Sequence, residues 1–171
     1  MSKLIRFNQF INESLIDYKN GLYEKAVFSA KSLIKIYEIQ KKLGLKSPSS
    51  LYGIHSTITY SPTPVDMQPL SEIAEKAKIV GFANWEDKDS PGKVYVVALL
   101  ESEFLKERHE LALKSGATYT HDEYKPHITL SEYDEKVVDI EKNMKDYIGT
   151  ELMIVRTVVE PLYGSSPVAT N

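Results

Sequence analysis

Cysteine is absent from the 171 residues of this chain, and its absence removes several kinds of chemistry at once. A chain without cysteine has no disulfide bond, no thiolate nucleophile and no zinc ribbon. A reducing, intracellular setting is therefore the simplest fit.

Long apolar runs are also missing. The longest one, Val94 to Leu100, is far too short to cross a bilayer. Polar residues interrupt the N-terminal stretch where an export signal would need an apolar core. No membrane partner is expected.

An excess of basic charge is missing as well, because 21 lysines and arginines stand against 24 acidic residues, a net charge of -3. Proteins that bind long nucleic acids usually need a wide basic surface, so no long nucleic acid is expected as a partner. A small anionic substrate remains compatible, since a pocket needs only a few local donors.

Several catalytic motifs are absent. There is no phosphate-binding loop, no Rossmann glycine set and no serine nucleophile elbow. His109 and Glu110 begin the zinc motif H-E-x-x-H, but Leu113 stands where the second histidine is needed. We expect His109 on a solvated helix and His121 in an exposed loop, and we predict neither a metal site nor a cofactor.

The chain does contain a repeat with an offset of 72 residues. Each copy has a predicted strand, a helix, a loop and a second strand. In the first copy these are Leu22 to Phe28, a helix from the cap Ser29 to about Leu43, and a strand from Gly53 to Tyr60 with Ile54, Ile58 and Tyr60 on one face. In the second copy they are Val94 to Leu100, a helix from the cap Ser102 to about Ser115, and a strand over Pro126 to Ser131. The matched pairs are Tyr23 and Tyr95, Leu33 and Leu105, Ile39 and Leu111, Gly44 and Gly116, and His55 and His127.

Three further elements complete the predicted fold. Ile73 to Glu86 contains a strand, Asp134 to Tyr147 a helix, and Thr150 to Leu162 a closing strand. The fold class is therefore α+β, with two lobes whose antiparallel sheets face each other across a central cleft and whose helices lie outside.

The predicted domain organisation has three parts. Residues 1–20 form an N-terminal amphipathic segment, 21–163 a single domain with lobes at about 21–75 and 90–150, and 164–171 a flexible tail.

The two copies each place a histidine and a threonine on one strand face. Side chains two residues apart point the same way, so His55 aligns with Thr57 and His127 with Thr129. If the copies face each other, two imidazoles and two hydroxyls converge. One imidazole can then accept a proton from a nucleophile while the other donates one to the leaving oxygen, and the hydroxyls can bind phosphate oxygens. This set is suited to cleaving a phosphodiester without a metal, with a ribose 2′-hydroxyl or water as nucleophile.

With His55-Ser56-Thr57 and His127-Ile128-Thr129 as its motifs, the chain resembles the two-histidine (2H) phosphoesterase superfamily over roughly residues 20–163. Four further features carry a narrower resemblance: Gly21-Leu22-Tyr23, the first motif as Ile54-His55-Ser56-Thr57-Ile58, Trp85, and Glu160 near the end. With them the chain is similar to a phage family in that superfamily, the anti-CBASS proteins. That resemblance implies hydrolysis of 3′–5′ bonds in cyclic di- and trinucleotides, the signals of bacterial CBASS immunity, in the cytoplasm of an infected host.

The same resemblance implies three substrate-binding residues. Tyr23 would close over a base, Trp85 would stack on a base, and Glu160 would accept hydrogen bonds from a base edge. Ordinary packing of the two aromatic residues and solvation of Glu160 are the alternatives.

The N-terminal segment supports a separate hypothesis. Residues 7–13 look like short capsid-targeting leaders of some large tailed phages, and Ile11-Asn12-Glu13 fits a prohead protease site. Association with the prohead and packaging in the virion would follow.

Other functions remain open at this stage. A 2H enzyme acting on cyclic RNA ends or on 2′–5′ oligoadenylates would use the same histidines. A nucleotide sponge or an internal virion protein would need no catalysis.

Overall fold

The structure is a computed structural model that describes residues 21–162. The predicted N-terminal segment 1–20, its prohead leader and the predicted tail 164–171 lie outside the described residues.

Antiparallel strands and two main helices make up the described part of the chain. The strands are β1 (Leu22–Phe28), β2 (Ser56–Ser61), β3 (Glu75–Glu86), β4 (Val94–Glu101), β5 (His127–Asp134) and β6 (Glu151–Pro161). The helices are α1 (Ala30–Leu43), α2 (Glu103–Lys114) and the short α3 (Ile140–Asn143), with 3-10 turns at Leu51–Gly53 and Lys145–Tyr147. Within residues 21–162 there is no helix with the length and hydropathy needed to cross a membrane.

The two main helices begin and end where the sequence predicts. The Ser29 and Ser102 side chains accept hydrogen bonds from the backbone N–H groups of Ser32 and Leu105, which satisfies donors at each N-terminus. The α1 helix ends at Gly44 in the left-handed conformation, with φ of 62°.

The strands form one sheet in the order β2-β1-β6-β3-β4-β5. The first half is β2-β1-β6 and the second half is β3-β4-β5. They are joined by a short ladder between Glu75–Lys78 of β3 and Glu151–Ile154 of β6. The α+β class is confirmed, and the two facing sheets expected from the repeat are two halves of one hydrogen-bonded sheet.

The two copies of the repeat share an irregularity, a β-bulge at matching positions of their strands. The register of β1 against β2 shifts between Glu24 and Lys25, which leaves Ile58 as the extra residue of a β-bulge. The matching shift between β4 and β5 leaves Leu130 as the extra residue, again 72 positions along the chain. Because of the first bulge, Tyr60 turns outward and is 59% exposed, so its predicted place on the face of Ile58 is wrong.

The helix predicted over Asp134 to Tyr147 is also wrong in extent. β5 continues to Asp134, and Asp139 precedes the four-residue helix α3 with a left-handed φ of 50°. A single turn of 3-10 helix follows, so the segment never forms a continuous helix.

Each helix contacts one strand from each half of the sheet. The α1 helix contacts β5 and β6, whereas α2 contacts β2 and β3. The loops that follow cross over to the other half: Ser49 N–H donates to Leu130 O at 2.8 Å, and Thr118 N–H donates to Ser61 Oγ at 2.9 Å. Both loops are thereby placed beside the central cleft.

Candidate active site

The histidine and threonine of each copy lie at the start of an edge strand. His55 directly precedes β2, and His127 is the first residue of β5. Their neighbours Ile54 and Ile128 are buried, as are Ile58 and Leu130, while the histidines and threonines remain partly exposed. The prediction that each motif places its histidine and its threonine on one face of the strand is therefore confirmed.

Both imidazoles are held in place by a hydrogen bond at the same ring nitrogen, Nδ1. His55 Nδ1 lies 2.6 Å from Gly53 O, and His127 Nδ1 lies 2.8 Å from Lys125 O. A carbonyl oxygen only accepts, so each Nδ1 carries the hydrogen and donates it. In the neutral ring this leaves Nε2 as the basic nitrogen, the atom that general acid–base chemistry would use.

Three adjoining cavities form the cleft, and each is named here for a residue that lines it. The His55 cavity has a volume of about 640 Å³ and contains His55 and Thr129. The His127 cavity, of about 400 Å³, contains His127 and Thr57, and the Trp85 cavity, of about 490 Å³, contains Trp85 and His127. Tyr23 lines both the His55 cavity and the His127 cavity. Each of these two cavities thus combines the imidazole of one half with the threonine hydroxyl of the other.

The free nitrogen of His55 has a polar partner. Its Nε2 lies 2.7 Å from the Tyr23 hydroxyl, which is also 3.3 Å from Thr57 Oγ1. With Nε2 unprotonated, the phenol donates this hydrogen bond. Tyr23 therefore occupies the space between the two polar groups of the first motif.

His127 has an aromatic neighbour instead. The Trp85 ring centroid is 4.5 Å from that of His127, at an interplanar angle of 65°. Burial lowers the pKa of His127, the hydrogen bond to the Lys125 backbone raises it, and the nearby His55 lowers it further, leaving it below the usual value. His127 is therefore neutral at pH 7.

Glu160 lies beside Tyr23, since β1 and β6 pair the two residues. Its Oε1 forms an ion pair with Lys25 Nζ at 2.9 Å, and that ammonium is 5.5 Å from the centroid of the Tyr23 ring. The carboxylate is thus held by Lys25 and is not among the residues that line the three cavities.

The prediction for His109 is wrong, because this residue is only 4% exposed. It shares the buried face of α2 with Leu105 and Ala112, a helical spacing that could have been read from the sequence. Its Nδ1–H donates to Ile58 O at 2.7 Å, and its ring stacks on Tyr124 at 4.1 Å. His121 is exposed as expected, and lines the His127 and Trp85 cavities.

The cleft also contains residues that the sequence did not single out. On the His55 side they come from the loop after α1 and from the end of β5, and on the other side from the loop after α2 and from β2. They are Ser47, Pro48, Ser49, Ser50, Glu132 and Tyr133, and Tyr60, Tyr119, Asp122 and Glu123. No local motif marks them, because each loop reaches the cleft by crossing to the other half. Among residues 21–162, no three His, Asp or Glu side chains are grouped so as to hold a metal ion.

Comparison with known proteins identifies the family of this chain. The family model "Anti-CBASS protein Acb1" matches residues 20–165. A protein of that name from Escherichia phage RB16 is 40% identical over 121 residues, which are 71% of this chain and 68% of the relative. Another from Enterobacteria phage T4 is 40% identical over 115 residues, 67% of this chain and 74% of the relative. The crystal structure of E. coli LigT complexed with 3′-AMP has a TM-score of 0.49 at 14% identity, covering 83% of this chain and 94% of that one.

The duplicated fold and its facing His-x-Thr motifs define the class as the two-histidine phosphoesterases, which are phosphodiesterases. The matched family model covers all of the described residues. The chain belongs to the anti-CBASS protein Acb1 family.

Proposed function

We propose that this protein is a metal-independent phosphodiesterase that hydrolyses the 3′–5′ bonds of cyclic di- and trinucleotides such as 3′,3′-cyclic GMP-AMP. In the cytoplasm of an infected bacterium, this activity would remove the signal of CBASS defence. The observation that carries the proposal is the crossed arrangement of the cleft, in which each imidazole shares a cavity with the threonine hydroxyl of the other half.

The proposed reaction begins at the neutral imidazole. His127 Nε2 takes the proton of a ribose 2′-hydroxyl as its oxygen attacks the adjacent phosphorus. The bond from phosphorus to the 5′ oxygen breaks, and His55 Nε2–H gives its proton to that oxygen. The product is a linear oligonucleotide that ends in a 2′,3′-cyclic phosphate, which water can open to a 3′ phosphate.

The assignment of His127 as base rests on its environment. Its pKa is lowered mainly by burial, and repulsion between two imidazolium ions lowers it further, so the pair tends to hold a single proton. His55, whose Nε2 lies 2.7 Å from the Tyr23 hydroxyl, is then assigned the acid role as the other member of the pair.

The remaining polar groups would bind the phosphate. Thr57 and Thr129 hydroxyls donate to the non-bridging oxygens, where negative charge grows in the transition state. No metal-bound step is needed, because two imidazoles supply both proton transfers.

The substrate class is supported by what surrounds the pair. Trp85 beside His127 and Tyr23 beside His55 supply flat apolar surfaces suited to bases. Glu160 would read a base edge once a ligand competes with Lys25 for its carboxylate.

The test is cleavage of 3′,3′-cyclic GMP-AMP in excess EDTA, followed by HPLC. The wild type should give linear product, His55→Ala and His127→Ala should not, and Tyr37→Ala, a change of an exposed tyrosine on α1, should match the wild type. Intact substrate in every sample would overturn the proposal. Cleavage of cyclic RNA ends or 2′–5′ linkages would then identify another 2H enzyme, and recovery of unmodified bound ligand would identify a sponge.

A further inference from the structure

The end of β5 has a backbone conformation that the repeat does not require. Val94 pairs with Asp134 and Val96 with Ser131, so two residues of β5, Glu132 and Tyr133, lie opposite one residue of β4. Tyr133 takes up this extra length with a left-handed φ of 56°. Such a conformation is strained for a bulky side chain, and strain of this kind is concentrated at functional sites.

Buried groups on both sides hold Tyr133 in this conformation. Ser131 and Asp134 both point into the protein, and Asp134 Oδ2 accepts a hydrogen bond from Ser131 Oγ at 2.7 Å. The same oxygen accepts from the N–H groups of Lys46 and Ser47 at 3.0 and 3.1 Å. With its neighbours fixed inside, Tyr133 is forced outward and is 52% exposed.

The first half achieves the same loop attachment without strain. The residue 72 positions before Tyr133 is Ser61, which is buried and accepts the Thr118 N–H at 2.9 Å. Thr118 is itself the counterpart of Lys46. The loop can therefore be anchored by an ordinary strand residue, and the second half differs by presenting an additional exposed ring at the cleft.

The exposed ring completes a pair that matches one in the first half. Tyr95 of β4 and Tyr133 have ring centroids 5.9 Å apart, and Tyr23 of β1 and Tyr60 have centroids 6.1 Å apart. Tyr60 lines the His127 cavity and Tyr133 lines the His55 cavity, while Tyr23 lies between them and lines both. An aromatic wall thus stands on each side of the paired imidazoles.

We propose that Tyr133 is a specificity-determining residue that stacks on one base of the substrate in the His55 cavity, with the Glu132 carboxylate accepting hydrogen bonds from that base. The assignment rests on the proposed function and deepens it, because two walls on opposite sides of the scissile phosphate fit a ring with two bases. The cavity, of about 640 Å³, is large enough for a nucleoside. A base with an amide N–H and an exocyclic amine, such as guanine, can donate hydrogen bonds that the Glu132 carboxylate accepts.

The test compares three variants on 3′,3′-cyclic GMP-AMP by steady-state kinetics. Tyr133→Gly removes the ring and suits a left-handed φ, so the variant is expected to fold with an unchanged or higher melting temperature. Tyr133→Phe keeps the ring. Tyr37→Ala removes an exposed tyrosine, 49% exposed, that lines none of the three cavities.

We expect KM to rise about 5-fold to 100-fold for Tyr133→Gly, the range set by the loss of one base–aromatic contact, with a smaller change in kcat. Tyr133→Phe and Tyr37→Ala should stay near the wild type. A Tyr133→Gly variant that is folded and has the wild-type KM would overturn the subsite and leave the proposed function standing. No cleavage by the wild type would overturn the proposed function and this subsite with it.

Discussion

The two halves of the protein bind the Nδ1 atom of their histidines in the same way, but the groups around the rest of each ring differ. In both, Nδ1 donates to a backbone carbonyl two residues earlier. In the first half Nε2 meets the Tyr23 hydroxyl, whereas in the second half the ring lies against Trp85. A repeated backbone can therefore give two imidazoles the same orientation while their neighbours differ, and burial lowers the pKa of His127.

The largest expected effect comes from removing either member of this pair. His55→Ala and His127→Ala should each lower kcat by about 10²-fold to 10⁴-fold, the usual contribution of a general acid or base. The double variant should fall little further, because two groups that act as a unit are not additive. Steady-state HPLC assays measure this. A single variant with near-wild-type kcat would show that only one imidazole takes part and would break the comparison.

The side chain that binds the incoming loop is the carboxylate of Asp134 in the second half and the neutral hydroxyl of Ser61 in the first. The next largest effect is expected on stability. Asp134→Asn should lower the free energy of unfolding by about 1.5–3 kcal/mol, since an amide cannot accept all of the bonds that the carboxylate accepts. Ser61→Ala should cost about 1 kcal/mol. Urea unfolding at pH 7 measures both. Glu135→Gln, at an exposed ion pair with Lys46, is the control and should change little.

The same anchor predicts a pH dependence. Burial raises the pKa of Asp134, but hydrogen bonds from Ser131 and from three backbone N–H groups outweigh it and hold the pKa below its usual range. Its contribution to stability should be complete above the pKa of an unfolded aspartate, about 3.9, and be lost as the pH falls through the folded value. Equal losses of unfolding free energy for Asp134→Asn and Ser61→Ala at pH 7 would contradict the prediction that Asp134 binds the loop as a charged carboxylate.

A smaller effect is expected where the second loop touches the first motif. The Tyr124 hydroxyl donates a hydrogen bond to Thr57 O at 2.9 Å, and Tyr124→Phe should cost about 1 kcal/mol by removing that bond. Thermal unfolding measures the change. Tyr119→Phe is the matched control, because its hydroxyl makes only a long contact of 3.4 Å with Glu123 O. Equal effects of the two variants would argue against a specific role for this bond.

The smallest effect tests the unlike neighbours of the histidines directly. Because burial is the main cause of the low pKa of His127, the acidic limb of kcat/KM should lie below pH 6.5, near which an unperturbed histidine titrates. Trp85→Leu exposes the imidazole, so the limb should move upward toward that value. A pH–rate profile of each enzyme measures it. A limb that stays in place would mean that Trp85 does not set the proton affinity of His127.

Much of the fold could be predicted because its signals are local. Serine caps, the glycine at the end of α1 and alternation along the strands depend on neighbours within a few residues. The structure has most of these elements within a residue or two of their predicted bounds, although β2 begins three residues after the predicted Gly53. Where the prediction was wrong, a distant contact decided. Tyr60 turns outward because of a bulge against β1, and His109 is buried because α2 packs on β2.

The candidate site divides in the same way. His55 and His127 could be found from their spacing, since a duplicated motif repeats its chemistry at one offset. Tyr133 could not be found, because its left-handed turn exists only with Asp134 bonded to the backbone of residues 46 and 47.

The sequence by itself determined the duplicated order of strands and helices, the two His-x-Thr faces and the caps that begin the helices. Only the tertiary structure decided that the loop after each main helix bonds to the other half, that each imidazole shares a cavity with the other half's threonine, and which aromatic rings border the cleft. The physical reason is the range of the interactions. Hydrogen bonds and periodicity within one element depend on residues close together in the sequence, whereas packing across the sheet depends on residues some 70 to 90 positions apart.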